Sequence, residues 1–376
     1  MYRAVFNCEI ITPMFMAGGD GRTPELRPSE FKGMMRFWWR AAKAEDDIDT
    51  LRREEAEIFG GTGVGEGKSK VKIKNKTLLK EKDIHDNLKT KYSLNFSYDK
   101  QQKSLAGEDA GIEYLLYSTV LPDRERAFIV DNSSFGLDII AQDEDSLNQA
   151  LAALWLSIYF GGFGTRGRRG GGNICIRNLD NLQGKIGLDF IISEENSLKV
   201  AQWLKENFKK ALRIIIKDNG IDKFCTSYSN LSFSRFIISN DGKLNWKDAL
   251  NGIGKRFSDF RRSYRKEIFD SAVFGLPVRH REGTVKGKGF KDYFDRRCSP
   301  LIIKCLKSNN KYYWMVIRMT GEFLPEGGIL TFNNKTQKPD YRLIDEFWNE
   351  IKKDGYEIIL NTPGNFEKIV DDIKKV

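Results

Sequence analysis

Residues 161–172 read G-G-F-G-T-R-G-R-R-G-G-G, and this stretch restricts the fold more than any other. Seven of its twelve residues are glycine, so we expect neither a helix nor a strand to run through it. The pattern predicts a helix before it, over 146–160, and a strand after it, over 173–178. Three arginines place forked, charged donors beside uncovered backbone amides, and a phosphate chain is a suitable ligand for both. This interpretation is favoured over the alternative, in which the segment is only a basic turn that caps the helix. The candidate contacts in this loop are Gly162, Arg166, Arg168 and Arg169.

The composition favours a folded protein with a polyanionic partner. The 376 residues include 62 Lys and Arg against 52 Asp and Glu, which gives a net charge of +10. A net positive charge indicates which partners the protein can bind but does not indicate its fold, so the binding surface must be identified from local clusters of charge. With 40% hydrophobic residues the chain is long enough for two domains of ordinary size, each with a core.

Cysteine and histidine usage bears on metals and on location. The five cysteines are scattered without a C-x-x-C pair and only two histidines are present, so we expect no metal and no cofactor. An odd cysteine count suits a reducing compartment. The N-terminus has no signal-peptide pattern, and no apolar stretch is long enough to span a bilayer. We therefore expect a cytoplasmic protein without membrane contact.

The clearest helix follows a Gly/Pro-rich loop over 13–28, with Ser29 as its predicted N-cap. Apolar residues from Phe31 to Ala42 recur at helical spacing and make one stripe, typical of a helix that faces a core. A second, basic stripe has the same spacing. Its candidate RNA contacts are Lys32, Arg36 and Arg40. Cations near a helix N-terminus oppose the macrodipole, so this face is either a nucleic-acid contact or a solvated surface.

The first half predicts a β, α, β, β, α, β order, which is that of a ferredoxin-like fold. Its predicted strands cover 2–11, 71–76, 113–121, 135–141 and 173–178. One face of the second of these strands is lysine, which suits an edge strand or an RNA contact equally. Residues 80–111 are polar and poorly periodic, so we expect an insertion or a mobile loop. No aromatic RNP1-type strand is present, and base stacking on the sheet is therefore not supported.

The second half predicts the same plan again. Its predicted strands cover 187–193, 231–238, 301–306, 311–319 and 356–360, and its helices 197–216, 246–264 and 341–352. The helix over 246–264 carries the basic residues Arg256, Arg261 and Arg262. A further basic glycine loop is predicted over 285–291. We therefore expect an α+β protein of two tandem ferredoxin-like (RRM-like) domains, 1–183 and 184–376, with a basic cleft between two lobes.

Several of these motifs together resemble a known family. Ser29-Glu30-Phe31-Lys32-Gly33-Met34-Met35-Arg36 is similar to the opening of the first helix in RAMP proteins of CRISPR systems, and 161–172 resembles the glycine-rich loop of that superfamily. Phe37-Trp38-Trp39-Arg40-Ala41 with that loop is more similar to one branch, the first-named subunits of type III-B (Cmr) effector complexes. Phe274-Gly275-Leu276-Pro277 and Ser299-Pro300-Leu301 also resemble RAMP elements.

The resemblance implies tandem ferredoxin-like domains and a place in an RNA-guided, RNA-targeting antiviral complex with other Cmr subunits. It implies a subunit that lies toward the 3′ end of the guide RNA and is neither nuclease nor polymerase. RNA contact carries over to Lys32, Arg36, Arg166, Arg168 and Arg169.

Three functions remain open from the sequence. The leading interpretation is a non-catalytic subunit that binds single-stranded RNA, guide or target, through its backbone. The second is a metal-free endoribonuclease that processes CRISPR RNA, for which His280 is the candidate acid or base. The third is a scaffold whose basic faces meet only acidic protein partners.

Overall fold

The computed structural model describes residues 1–75, 77–99, 104–121, 125–180, 186–217, 225, 228–289, 293–324 and 327–360. Within them the chain is a mixed α+β protein, and its strands pair antiparallel. The helices are α1 Pro28–Lys43, α2 Ile48–Phe59, α3 Leu88–Tyr92, α4 Ala110–Val120, α5 Glu144–Tyr159, α6 Ser197–Ile216, α7 Trp246–Ser263, α8 Ile268–Ala272 and α9 Arg342–Ile351.

The strands are short to medium in length and belong to several sheets. They are β1 Tyr2–Ile10, β2 Val71–Asn75, β3 Ile84–His85, β4 Ser97–Asp99, β5 Ser104–Ala106, β6 Phe128–Ile129, β7 Ser134–Ala141, β8 Ile174–Asp180, β9 Asn230–Ser239, β10 Val278–His280, β11 Gly283–Lys288, β12 Tyr293–Phe294, β13 Leu301–Ser308, β14 Lys311–Thr320, β15 Ile329–Phe332, β16 Lys335–Gln337 and β17 Gly355–Ile359.

Two four-stranded sheets have equivalent strand orders. The first runs β2-β7-β1-β8 and the second β13-β14-β9-β17. In each, the first and third of the four strands along the chain are central neighbours, while the second and fourth lie at the edges. Helices α1 and α5 connect strands of the first sheet, as α7 and α9 do in the second. Within each of these two sheets, the strands and the helices that connect them follow the order β, α, β, β, α, β.

Both halves contribute to the same two hydrophobic clusters. One contains Phe6 and Trp38 from the first half with Phe236 from the second, and the other joins Leu116 to Phe257. Between α4 and α7 the backbones approach so closely that a Cβ at Gly254 would lie 2.3 Å from the Gly111 oxygen. Apolar packing therefore joins the halves and stabilises them as one structure.

The first helix begins slightly earlier than the sequence predicts. Its N-cap is Arg27 and Pro28 occupies the first turn, so Ser29 lies inside the helix and is not the cap. The reason is that proline, with its fixed φ and missing N–H, is favoured at the first helical position. The predicted apolar stripe is confirmed, because Phe31 and Trp38 are buried.

Two predicted strands are wrong. Residues 113–120 belong to helix α4, which ends at Val120. Residues 187–193 lie within a segment that forms no strand. Side chains of other elements form hydrogen bonds with the backbone there. The amide of Asp189 donates to Asn207 Oδ1 at 2.9 Å, and its carbonyl accepts from Trp155 Nε1 at 2.9 Å. Because these backbone groups of Asp189 are already hydrogen-bonded, they are not available to a neighbouring strand.

Two predicted loops contain strands or helices. Residues 285–288 of the basic glycine loop belong to strand β11, which pairs with β10, β12 and β15, while 290 and 291 lie outside the described residues. The region over 80–111 contains β3, α3, β4 and β5. Strand β2 lies at the edge of its sheet with Lys72 and Lys74 exposed, as an edge strand requires, and Lys76 lies outside the described residues.

Candidate nucleic-acid interface

The glycine-rich loop over 161–172 folds back on itself between α5 and β8. The amide of Phe163 donates to the Gly172 carbonyl at 2.9 Å, and that of Gly172 donates to Pro13 O at 2.8 Å. Gly172 has a φ of +59°, and a Cβ there would lie 1.8 Å from Phe163 O. Glycine is required because no side chain fits this contact or favours this φ. A Cβ at Gly162 would likewise lie 2.6 Å from the Gly167 oxygen.

Several loop amides that the sequence left for a phosphate already have partners. Thr165 N donates to Phe15 O at 2.9 Å, and Gly164 N donates to Glu30 Oε1 at 3.3 Å. Arg169 N and Gly171 N both donate to Arg166 O. The expectation of an uncovered phosphate cradle is therefore wrong for these amides, since the fold itself satisfies them.

Two loop arginines connect the halves of the protein. Arg168 Nη2 donates to Ser299 O at 2.6 Å, and Arg169 Nη1 donates to Leu301 O at 3.1 Å. Arg169 also lies over the ring of Phe257, with 4.9 Å between its Cζ and the ring centroid. Both arginines are partly buried. Their side chains thus make structural contacts to the second half, which the sequence did not indicate.

A buried lysine from the second half meets the start of the loop. Lys304 on β13 is fully buried and donates to the carbonyls of Ile158 and Gly161, the latter at 2.9 Å. Burial lowers the pKa of this amine to about 7. These carbonyls lie at the C-terminal end of α5, where helix oxygens have no partner within the helix. Lys304 therefore fixes the loop against the second sheet.

The third loop arginine faces a different surface. Arg166 Nε donates to Ser118 Oγ on α4 at 3.0 Å, and Arg126 Nη1 donates to Thr165 Oγ1 at 3.2 Å. Arg261 at the C-terminal end of α7 donates through Nη1 to the hydroxyl of Tyr114 at 3.1 Å. Helix α4, one of the elements that the sequence misassigned, thus organises this part of the surface.

Six arginines come together around the loop, and we name them with two tyrosines the arginine surface. Its members are Arg126, Arg166, Arg168, Arg169, Arg261, Arg297, Tyr114 and Tyr117. In the part of the chain that the structure describes, none of the six arginines forms an ion pair with a carboxylate. Arg126 and Tyr117 are exposed, the tyrosine to 46%. A cationic surface with an exposed ring is suited to phosphates and bases together.

The electrostatics of this surface favour an added anion. Burial lowers the pKa of Arg166, Arg168 and Arg169, in the last case to about 9. Neighbouring arginines lower these pKa values further, with Arg261 acting on Arg169. Each charge therefore carries a desolvation cost and a repulsion that a phosphate would reduce.

The basic stripe of α1 has its partners on other elements of the first half. Arg36 Nε and Arg40 Nη1 both contact Glu55 Oε1 on α2, at 2.5 and 2.6 Å, and Glu55 is 4% exposed. Lys32 Nζ donates to Ser69 Oγ at 2.6 Å. The loop does lie beside α1, with 4.7 Å between the ring centroids of Phe31 and Phe163. Helix α2 and the segment after it therefore hold the α1 cations in this arrangement, and RNA contact at Lys32, Arg36 and Arg40 stays a prediction.

The remaining predicted contacts on α7 are ion-paired. Arg256 contacts Asp354, and Arg262 contacts Asp259 on its own helix at 2.7 Å. Arg262 is exposed, so its pair is weak in water. Only Arg261 of the three lies on the arginine surface.

The alternative catalytic residue lies elsewhere. His280 is on β10, its ring faces Phe332 with 5.8 Å between the centroids, and its Nε2 is buried without a hydrogen-bond partner. Among the described residues, no group of three His, Cys, Asp or Glu side chains could hold a metal. No helix in the described ranges has the length and apolar character that a membrane crossing needs.

Sequence reasoning missed Arg126, Arg297, Tyr114 and Tyr117. A helical interpretation of 110–120 would have placed Tyr114, Tyr117 and Ser118 on one face, at i, i+3 and i+4. That spacing was the available signal.

Comparison with known proteins gives the family. The sequence profile of the RAMP superfamily matches residues 7–175. The "CRISPR system Cmr subunit Cmr1-2" of Pyrococcus furiosus is 30% identical over 193 residues, which are 48% of this chain and 97% of that protein. The "CRISPR system Cmr subunit Cmr1-1" of the same organism is 26% identical over 356 residues, 90% of each chain.

Solved structures agree at the level of the fold. The crystal structure of apo Cmr1 from Pyrococcus furiosus has a TM-score of 0.64 at 20% identity, covering 96% of this chain and 99% of that one. A chain in the cryo-EM structure of type III-B Cmr-beta bound to cognate target RNA has a TM-score of 0.56 at 14% identity, covering 94% and 99%. This chain therefore belongs to the RAMP superfamily, within the Cmr1 family of type III-B CRISPR subunits.

Proposed function

We propose that this chain is a non-catalytic RNA-binding subunit of a type III-B CRISPR effector complex, and that the arginine surface contacts the RNA backbone. One observation carries the proposal. The six arginines of this surface have no carboxylate partner among the described residues, whereas Arg36, Arg40 and Arg256 all do. Cations that repel one another without a counterion fit a polyanion that arrives from outside.

The nature of the partners follows from the relatives. The related Cmr proteins are subunits of a CRISPR system, and the Cmr-beta assembly is bound to cognate target RNA. By analogy this chain works in the cytoplasm with other Cmr subunits and contacts guide or target RNA, toward the 3′ end of the guide. Family membership supports this analogy, and the site residues rest on the geometry alone.

We further propose that the halves are tandem ferredoxin-like domains, 1–183 and 184–376. The strand orders β2-β7-β1-β8 and β13-β14-β9-β17 support this, because both place the first strand between the third and fourth. In this proposal the arginine surface lies where the glycine-rich loop crosses the seam between the domains.

The candidate contacts differ in weight. Arg126, Arg166 and Arg261 contact phosphates directly, with Tyr117 against a base. Arg168 and Arg169 contribute mainly through their charge, because their guanidiniums bond to backbone carbonyls. Gly162 acts through the shape of the loop. The remaining candidates contribute only if RNA displaces their present partners, and these are Lys32, Arg36, Arg40, Arg256 and Arg262.

Binding of fluorescent oligouridine, followed by anisotropy, tests the proposal. The affinity should fall steeply as salt rises, because phosphate neutralisation releases counterions. The double variant Arg126→Gln/Arg166→Gln should bind more weakly than the matched control Arg213→Gln, whose arginine is exposed on α6. Equal affinities for the double variant and the control would overturn the proposed site.

A further inference from the structure

A cavity of about 250 Å³ lies between α3, the strand after it and α4. Its walls include the apolar side chains of Leu88, Phe96 and Val120, and its polar groups include Asn87, Lys89 and Glu113. The volume is several times the ~30 Å³ that one water molecule occupies in the liquid. A cavity with apolar walls and few polar groups is typical of a small-molecule or base site.

One polar group in this cavity lacks a partner. Glu113 is 5% exposed, and its Oε2 is buried without a hydrogen bond in the structure. Burial raises the pKa of Glu113 to about 7, while the nearby cation of Lys89 acts in the opposite direction. A buried carboxyl group without a donor costs free energy that a ligand with N–H groups would recover. The ligand should therefore present donors to Glu113.

The cavity and the arginine surface share helix α4. Glu113 lines the cavity, while the next residue, Tyr114, accepts a hydrogen bond from Arg261. Tyr117 lies one turn further along the same helix and is exposed. Glu125 at the cavity directly precedes Arg126. Helix α4 and the segment after it therefore contribute residues both to the arginine surface and to the cavity.

We propose that this cavity binds one unpaired guanine base of the RNA, with Glu113 as the acceptor for its N–H groups. This inference rests on the proposed function, and it adds a base preference to backbone binding. The Lys89 amine, which also donates to Phe96 O at 3.1 Å, supplies a further donor for the guanine O6, whereas the Asn87 amide donates to Glu125 Oε1 at the rim of the cavity. Leu88 and Val120 contact the flat faces of the base.

Guanine fits these groups better than the other bases do. Its Watson–Crick edge carries two adjacent donors, N1–H and the N2 amino group, which one carboxylate accepts together, and beside them the acceptor O6. Uracil has a single donor between two acceptors, and adenine and cytosine carry a donor next to an acceptor. A carboxylate meets an acceptor in each of those three cases.

The test compares two labelled oligouridines, one of which carries a single central guanosine, on the full-length wild-type chain by anisotropy. We expect the guanosine to tighten binding about tenfold, as one good bidentate contact does. Glu113→Gln should remove this preference and leave the affinity for plain oligouridine unchanged, because the carboxamide offers one acceptor and one donor. Glu108→Gln, the same change at an exposed residue, should keep the preference.

The possible results separate the two proposals. Equal affinity of the wild type for both oligonucleotides overturns the guanine site, while salt-dependent binding of plain oligouridine leaves the proposed function standing. Absence of binding to either oligonucleotide overturns both. A preference that persists in a folded Glu113→Gln protein, with folding checked by thermal unfolding, also overturns the role of Glu113.

Discussion

Lys304 Nζ donates a hydrogen bond to the carbonyl of Gly161 at 2.9 Å, so a buried amine of the second half holds the first residue of the glycine-rich loop. The same amine donates to Ile158 O at the end of α5. Together with Arg169, which donates to Leu301 O, it makes the loop a connection between the halves. The glycine-rich loop therefore has a structural role here beside its place on the arginine surface.

The first prediction concerns pH and Lys304. Burial lowers the pKa of its amine to about 7 from the ordinary 10.5, so between these values the unfolded chain binds the extra proton. The free energy of unfolding should therefore rise with pH across this window. In Lys304→Met this contribution is absent, and the variant should be destabilised more at pH about 9 than at pH about 6. Urea unfolding at both pH values measures it, and an equal loss at both would contradict the burial of the amine.

The second prediction concerns Arg169. Arg169→Leu removes the donors to Leu301 O and Phe274 O and should lower the free energy of unfolding by about 2 kcal/mol. Arg262→Leu serves as the control, because its exposed pair with Asp259 contributes about 0.5 kcal/mol or less. Denaturant unfolding of both variants provides the comparison. If the two variants are destabilised equally, Arg169 does not connect the halves.

The third prediction concerns the turn at Gly172. Gly172→Ala places a Cβ against the Phe163 oxygen at a left-handed φ and should destabilise the protein by about 3 kcal/mol. Gly33→Ala is the matched control, since nothing lies within 4 Å of a Cβ there, and in helix α1 it should stabilise by about 0.5 kcal/mol. Thermal unfolding shows the sign of each change, and a neutral Gly172→Ala would refute the packed loop.

The fourth prediction concerns the salt dependence of RNA binding. Replacing Arg126 and Arg166 by glutamine should lower the slope of log affinity against log salt by about 1 for each phosphate that the variant no longer neutralises. Each of the two side chains makes a single hydrogen bond among the described residues, so stability should change little. Anisotropy titrations over a salt series supply the slopes. An unchanged slope would place the RNA on another surface.

Much of the fold was predictable because its elements have strong local patterns. The helix over 197–216 and the strands predicted over 301–306 and 311–319 are confirmed, since local periodicity specifies them. Helix α4 was not predictable in the same way. Its apolar residues Ile112, Leu115 and Leu116 are compatible with either a strand or a buried helix. The close packing of Gly111 against Gly254 favours the helix, and this contact is not visible in the local sequence.

The site was harder to predict than the fold. A sequence shows that Arg168 and Arg169 are basic, but not that their partners are carbonyls at Ser299 and Leu301, more than a hundred residues away. Equally, the stripe of α1 was visible, while its pairing with the buried Glu55 was not. Carboxylates on distant elements determine which basic side chains remain without an ion pair. The local spacing of residues does not show where those carboxylates lie.

Ultraviolet crosslinking of bound oligouridine to the purified chain, read by mass spectrometry of the peptides, tests the central claim most directly. The arginine surface predicts crosslinks at Tyr117 and Tyr114 on α4, beside Arg166, and their loss at high salt. Crosslinks confined to α1 and α2, or to the sheet of β10 and β11, would contradict the assignment of the RNA to this surface.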